Sequence, residues 1–305
     1  MRLADVLIDL LHELVVALGA HDLTAFAVDD LRHGSSLEDD VETPHGRSLG
    51  QNGCLNLGAT LGTRIQLCGP LRASIDGQRV EDAFAGRQGR LLFAYLVAHR
   101  LRPSSRDELI DAIWADAPPA AVDSALSALV SKLRKVVGAD RVEGRTELRL
   151  VLPENSWIDV EAATAGIHRA ESAVRRGDWH DAWVAARIAQ HITIRPFMAG
   201  DDAPWVEDRR QELEGVYLRS LELAAHASVG IGGGELDTAE RTARTLVRLA
   251  PFRESGYRYL MQALDAQDNR AEALRVYEQL RVLLREELGI TPSPATQELY
   301  KELLA

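Results

Sequence analysis

Apolar positions recur at helical spacing from the start of the chain. Leu3, Leu7, Leu10, Leu14 and Leu18, joined by Val6, Leu11 and Val15, make one broad stripe, and Asp5, Asp9 and Glu13 occupy its polar face. A shorter apolar stretch runs from Leu23 to Leu31. Residues 33–62, rich in Gly, Ser, Asn and acid, have little periodicity and read as a linker. Beyond them Arg64–Cys68 and Arg72–Ile75 are expected to be short strands, with Asp76-Gly77 as the hairpin turn into Gln78–Glu81. A helix over Arg87–His99 turns Leu91, Leu92, Tyr95 and Leu96 inward. Ser105 caps a helix over Arg106–Trp114, with Glu108 at capping-box spacing, and Pro118-Pro119 stops that element. The next helix covers Ala121–Val137 and ends at Gly138. Arg141–Glu143 and Glu147–Leu152 then flank Gly144-Arg145-Thr146, a second hairpin.

From residue 157 the pattern is almost entirely helical. Gly177–Ala182, Gly234–Ala239 and Gln267–Ala273 are alike, each a polar turn opening an Ala-rich helix. The second and third are 34 residues apart, the tetratricopeptide period. Such repeats are helical hairpins that bury apolar faces against their neighbours and leave a concave surface for partners. The expected architecture is therefore mainly α: a winged helix-turn-helix with short β-hairpins, then an all-α tetratricopeptide-like domain. The expected boundaries are an acidic extension and linker over 1–62, the winged helix over 63–156 and the helical domain over 157–305.

The 305 residues allow about two domains. A net charge of −11, taken alone, argues against a polyanionic partner. Its distribution changes that: residues 1–62 carry −7, residues 63–156 carry +2 and residues 157–305 carry −6. Only the middle zone is positive, so an anionic partner belongs there. Cys54 and Cys68 are too few for a disulfide framework and fit a reducing compartment. Asp5, Asp9 and Glu13 interrupt the leucine run as no signal peptide or spanning helix would tolerate, so a cytoplasmic protein without membrane contact is expected.

On the helix 121–137, Val122, Leu126, Leu129, Val130, Leu133 and Val137 share one face. The opposite face carries Ser124, Ala128, Ser131 and Lys135, flanked by Ser127, Arg134 and Lys132. Small polar residues let a helix approach the floor of a major groove, and cations near its end reach phosphates. Such a face is more often merely solvated. Here the preceding helix and turn, the following hairpin with Arg145 at its tip and Arg149 behind it, and the positive zone together favour a DNA reader.

Catalytic patterns fail on context. Gly46-Arg47-Ser48-Leu49-Gly50 matches a nucleophile elbow but lacks the flanking strand and helix. His12-Glu13 begins a zinc-helix string, yet Val16 stands where the second imidazole belongs. No Gly-Lys dipeptide occurs, so there is no phosphate-cradling loop, and Gly232-Gly233-Gly234 follows no strand. Neither an enzyme nor a cofactor is expected. Trp157, Trp179, Trp183 and Trp205 read as core aromatics at helix contacts.

The run RLLFAYLVAHRLRPSSRDELIDAIWADAPPAAVDSALSALVSKLRKVVG resembles the winged helix of the Streptomyces antibiotic regulatory protein family. The stretches WVEDRRQELEGVYLRSLELAAHA and PFRESGYRYLMQALDAQDNRAEALRVYEQLRVLLREELGITPSPATQELYKELL resemble the activator domain that accompanies it. The likeness covers about residues 63–305 and is most specific in Arg285–Pro294 and Ser131–Lys135. It implies a pathway-specific transcriptional activator of specialised metabolism, bound as a dimer to direct repeats in double-stranded promoter DNA and recruiting RNA polymerase holoenzyme. It places Ser124, Ser127, Ser131, Lys132, Arg134 and Lys135 on the recognition helix, and assigns Arg87, Ser105 and Arg106 to phosphate. One departure stands out: family members usually carry Gly-Tyr in the wing where this chain has Glu147-Leu148, a carboxylate that weakens phosphate contact. The other reading is a ligand-sensing or scaffolding tetratricopeptide regulator whose winged helix binds protein. For residues 1–60 the simplest expectation is a helix docked on the protein's own body; its carboxylates also suit a cover for the basic zone.

Overall fold

The computed structural model describes residues 62–115 and 117–305. The N-terminal leucine stripe, the linker, Gly46–Gly50 and His12-Glu13 lie outside the described residues.

Strand β1 (Arg64–Gln66) pairs antiparallel with β2 (Arg72–Ile75), Ile65 opposite Ala73. Asp76 and Gly77, at φ 50° and 80°, turn β2 into β3 (Gln78–Arg79), the left-handed pair that a two-residue hairpin requires. The first strand is shorter than its sequence suggests because the amides of Leu67 and Cys68 turn away to a carboxylate. The third ends early because Glu81 opens a 3-10 turn over Glu81–Ala83, where its carboxylate takes Arg79 Nε at 2.8 Å.

Helices α1 (Gly86–Ala98), α2 (Arg106–Trp114) and α3 (Val122–Val137) follow. Strand β4 (Ser104–Ser105) precedes α2, while β5 (Val142–Glu143) and β6 (Glu147–Leu150) follow α3 in a sheet of order β4-β6-β5. Leu91, Leu92, Phe93 and Leu96 of α1 meet Leu109 and Ile113 of α2, Leu126, Val130 and Leu133 of α3, and Leu148 and Leu150 of β6 in one buried cluster. Each fully buried leucine or isoleucine there contributes about 2 kcal/mol. This is a winged helix, with β5–β6 as the wing.

The helical domain runs through α4 (Asp159–Arg176), α5 (Trp179–Thr193), α6 (Pro204–Ile231), α7 (Leu236–Leu249), α8 (Glu254–Ala266), α9 (Arg270–Leu288) and α10 (Pro294–Leu304). Each helix packs on the next, and α4, α6, α8 and α10 also touch in sequence, as in a tetratricopeptide array. The three similar sequence segments lead into α5, α7 and α9, and their alanines Ala182, Ala239 and Ala273 are fully buried at the close helix contacts. Trp179 meets His226 with ring centroids 5.2 Å apart, in space that only the glycine at 230 leaves open.

The two parts share one core. Strand β7 (Trp157–Ile158) pairs parallel with β1, Ile65 opposite Ile158, and gives the first sheet the order β3-β2-β1-β7. Asp159, buried at the start of α4, accepts the amides of Leu67 and Cys68 at 2.9 and 2.7 Å. Burial and the neighbouring Asp159 push the Cys68 thiol up, so it stays protonated. Met198 and Ala199 donate their amides to Leu67 and Gly69, and Trp205 Nε1 donates to the Ala112 carbonyl of α2 at 3.0 Å. These links fix the direction of α3 relative to the helical array.

Candidate nucleic-acid interface

The face of α3 follows from its alternation of residue sizes. Leu126, Val130, Leu133 and Val137 are buried, so the backbone turns Ser124, Ser127, Ala128, Ser131, Lys132 and Lys135 outward. Arg134 and Lys135 lie in the last turn, where cations complement the helix dipole. Among the described residues neither Lys132 nor Lys135 has a carboxylate within ion-pair distance, and both ammonium groups face solvent. The same holds for Arg145, exposed at the tip of the wing. Ser124, Ser131, Lys132, Lys135 and Arg145 thus form a polar surface available to an outside anion.

The remaining candidates are engaged within the protein. Ser105 caps α2: its hydroxyl accepts the Glu108 amide at 3.2 Å, and its own amide returns to the Glu108 carboxylate at 3.2 Å, so the expected capping box is present. Hydrogen bonds from Arg102 and from the Ser105 amide hold the Glu108 carboxyl below its usual range. Arg106 Nη2 donates to the Asp123 carbonyl at 3.0 Å and to Ser127 Oγ at 3.1 Å, clamping the start of α2 to α3. Ser127 Oγ donates to the same Asp123 carbonyl at 2.7 Å, which uses its only proton. Arg134 reaches the wing, donating to Val142 O at 3.1 Å and to Gly144 O at 2.6 Å. Arg149 pairs across the wing with Glu143 at 2.9 Å. Arg87 donates to the Asp202 carbonyl and stands 3.8 Å from the Asp201 carboxylate, in the loop before α6.

In the wing, Leu148 is buried and fills the core, while Glu147 faces solvent opposite Ser105. A carboxylate thus stands beside the α2 cap. Gly144 has φ 87°, and a Cβ there would lie 1.8 Å from the Glu147 carbonyl, so the turn accepts only glycine.

Several positioning residues gave no local signal in the sequence. Arg90 makes a two-pronged pair with Asp201 at 3.0 and 3.1 Å across 111 positions. Arg100 does the same with Glu161 at 2.6 and 2.8 Å. Arg210 donates to the carbonyls of Phe197, Met198 and Asp201, holding the loop that presents Asp201. Trp157, Trp179, Trp183 and Trp205, expected in the core at helix contacts, are half-buried at its margin: Trp205 lies edge-on to Tyr95 and Phe197, Trp183 packs on the Ala173–Ala182–Ala227 cluster, Trp179 meets His226, and Trp157, on strand β7, lies under Arg64. No helix among the described residues is long and apolar enough to cross a membrane.

Residues 158–304 match the bacterial transcriptional activator domain. The regulatory protein AfsR of Streptomyces coelicolor is 32% identical over 250 residues, which cover 79% of this chain and 24% of that protein. The transcriptional regulatory protein EmbR of Mycobacterium tuberculosis is 30% identical over 268 residues, 81% of this chain and 65% of that protein. A solved structure of M. tuberculosis EmbR, in complex with a low-affinity phosphopeptide, superposes with a TM-score of 0.67 at 27% identity, covering 79% of this chain and 65% of that one. The chain spans about a quarter of the length of AfsR. Winged helix, fused helical array and these likenesses agree: residues 158–304 match the bacterial transcriptional activator domain, and the chain as a whole is similar to members of the Streptomyces antibiotic regulatory protein family.

Proposed function

We propose that this chain is a sequence-specific DNA-binding transcriptional activator, pathway-specific for specialised metabolism and acting in the cytoplasm. The observation that carries the reading is α3, which buries Leu126, Val130, Leu133 and Val137 on one face and presents Ser124, Ser131, Lys132 and Lys135 on the other, with Arg145 of the wing nearby. Serine hydroxyls suit base edges, and the cations suit phosphates. The names of the relatives, AfsR a regulatory protein and EmbR a transcriptional regulatory protein, support the same class. Residues 63–156 serve as the reading domain and 157–305 as the domain that pairs protomers and engages RNA polymerase holoenzyme. A reading domain of net charge +2 binds DNA weakly alone, which favours two protomers on direct repeats.

In this reading Ser105, Arg106 and Arg87 stay near the phosphates, but each is already engaged in the protein, and Ser127, Arg134 and Arg149 act mainly within it. The test is duplex selection from a randomised library, followed by a salt titration of the selected duplex. A sequence-specific complex whose affinity falls steeply with salt is expected. Failure to enrich any sequence, or a salt-independent affinity, overturns it.

A further inference from the structure

The wing is short. Its strand β5 has two residues and β6 has four; β6 also pairs with β4, but the turn over 144–146 extends past that pairing and is exposed. The turn glycine sets its shape, and the Glu143–Arg149 pair across it is about half exposed, so it holds little. Buried Val142, Leu148 and Leu150 root the strands against α3, and what ties the turn end of the hairpin to that helix is Arg134. Its Nε and Nη2 converge on Val142 O, and Nη2 also donates to Gly144 O at 2.6 Å, one residue before the exposed tip. The guanidinium is partly buried, and its fork geometry matches two carbonyls as a lysine ammonium does not. Lys132 and Lys135, its neighbours on the helix, point into solvent instead.

We propose that Arg134 is a positioning residue that holds the wing tip in fixed register with the recognition helix, so that Arg145 and the α3 cations meet one duplex together. This rests on the DNA-binding reading above. A cation in a reading helix would ordinarily be assigned to a phosphate; here two donor nitrogens are spent on the wing backbone, and the charge acts through Arg145.

Two measurements separate the proposal from the reading it rests on. In the free protein, Arg134→Lys keeps the charge but loses the fork, so amide exchange at Glu143 and Arg149, which face each other in the wing ladder, accelerates about tenfold or more, as expected for losing a charge-assisted hydrogen bond from a local opening equilibrium. Unchanged exchange overturns the staple whether or not the protein binds DNA. On duplex, Arg145→Ala lowers the slope of log affinity against log salt by about one. Arg134→Lys is expected to lower it by a similar amount, and the double variant by no more than either alone. A wild-type slope in Arg134→Lys, or additive losses in the double variant, overturns the positioning role. If the wild-type chain binds no duplex while the exchange effect is present, the DNA reading fails and the staple stands.

Discussion

The Asp159 carboxylate at the start of α4 accepts the Cys68 amide at 2.7 Å from 91 residues earlier in the chain. The same oxygen takes the Leu67 amide, and the other oxygen takes the amide of Val160. Asp159 therefore satisfies two amides just past the end of β1, and it joins the winged helix to the helical array at one buried point. Asp159→Ala leaves those amides buried without partners and is expected to lower the unfolding free energy by about 3 kcal/mol. Asp159→Asn keeps one acceptor oxygen and is expected to cost about half as much. Urea denaturation followed by tryptophan fluorescence measures both; equal midpoints for Asp159→Ala and wild type would refute the role.

How far the sequence foretold this depends on the range of each interaction. The Ser105–Glu108 box, the Asp76-Gly77 turn and the apolar face of α3 all lie within a few residues, and their patterns name their geometry. The buried alanines of the three repeats were legible for the same reason. Asp159 was not: read locally it is an ordinary acidic residue opening a helix, and its partners lie just beyond a strand whose short length is visible only once they are known. Arg134 was misleading in another way. Helical spacing sets a side chain's direction from the axis, but the wing that folds back over that flank is what draws its guanidinium inward. Arg87 likewise faces a loop more than a hundred residues later.

One carboxylate fixes the start of the last helix. Glu254, at the start of α8, accepts the Thr296 hydroxyl at 2.6 Å, the Ser293 hydroxyl at 2.7 Å and the Ser293 amide at 2.9 Å, which gives the Thr-Pro-Ser-Pro-Ala-Thr run a structural meaning. Burial raises the Glu254 carboxyl, but these hydrogen bonds outweigh it and leave it below its ordinary value. A depressed folded-state value means the stabilisation is present above the unfolded-state carboxylate range and is lost as pH falls through the folded value. Protection of α10 amides from exchange is expected to decline on acidification, and Glu254→Gln is expected to flatten that decline. An acid response identical in the variant would contradict the assignment.

Ser127 and Ser131 sit one turn apart on the same exposed face, yet their hydroxyls differ. Ser127 has given its proton to the Asp123 carbonyl and accepts from Arg106, whereas Ser131 is open to solvent. Ser131→Ala is expected to reorder the ranking of selected duplexes. Ser127→Ala is expected to keep that ranking and to cost about 1 kcal/mol of folding stability through the lost clamp. A changed ranking in Ser127→Ala would show that the clamp opens on DNA.

Lys132 and Lys135 project from α3 without a carboxylate neighbour among the described residues, so nothing in the described fold depends on their charge. Alanine at either is expected to leave the melting temperature within about 2 °C of wild type, as for an ordinary surface substitution. If each neutralises one phosphate, each substitution weakens binding to every duplex alike and lowers the salt slope by about one. Because the two ammonium groups contact separate phosphates in that arrangement, the double variant is expected to lose about two. Residues 63–156 have a net charge of only +2, so removing both cations takes it to zero and, on the proposed function, is expected to abolish nonspecific binding at physiological salt before specific binding is lost. Competition with unrelated duplex measures that order directly; loss of specific binding first would mean that these lysines read bases.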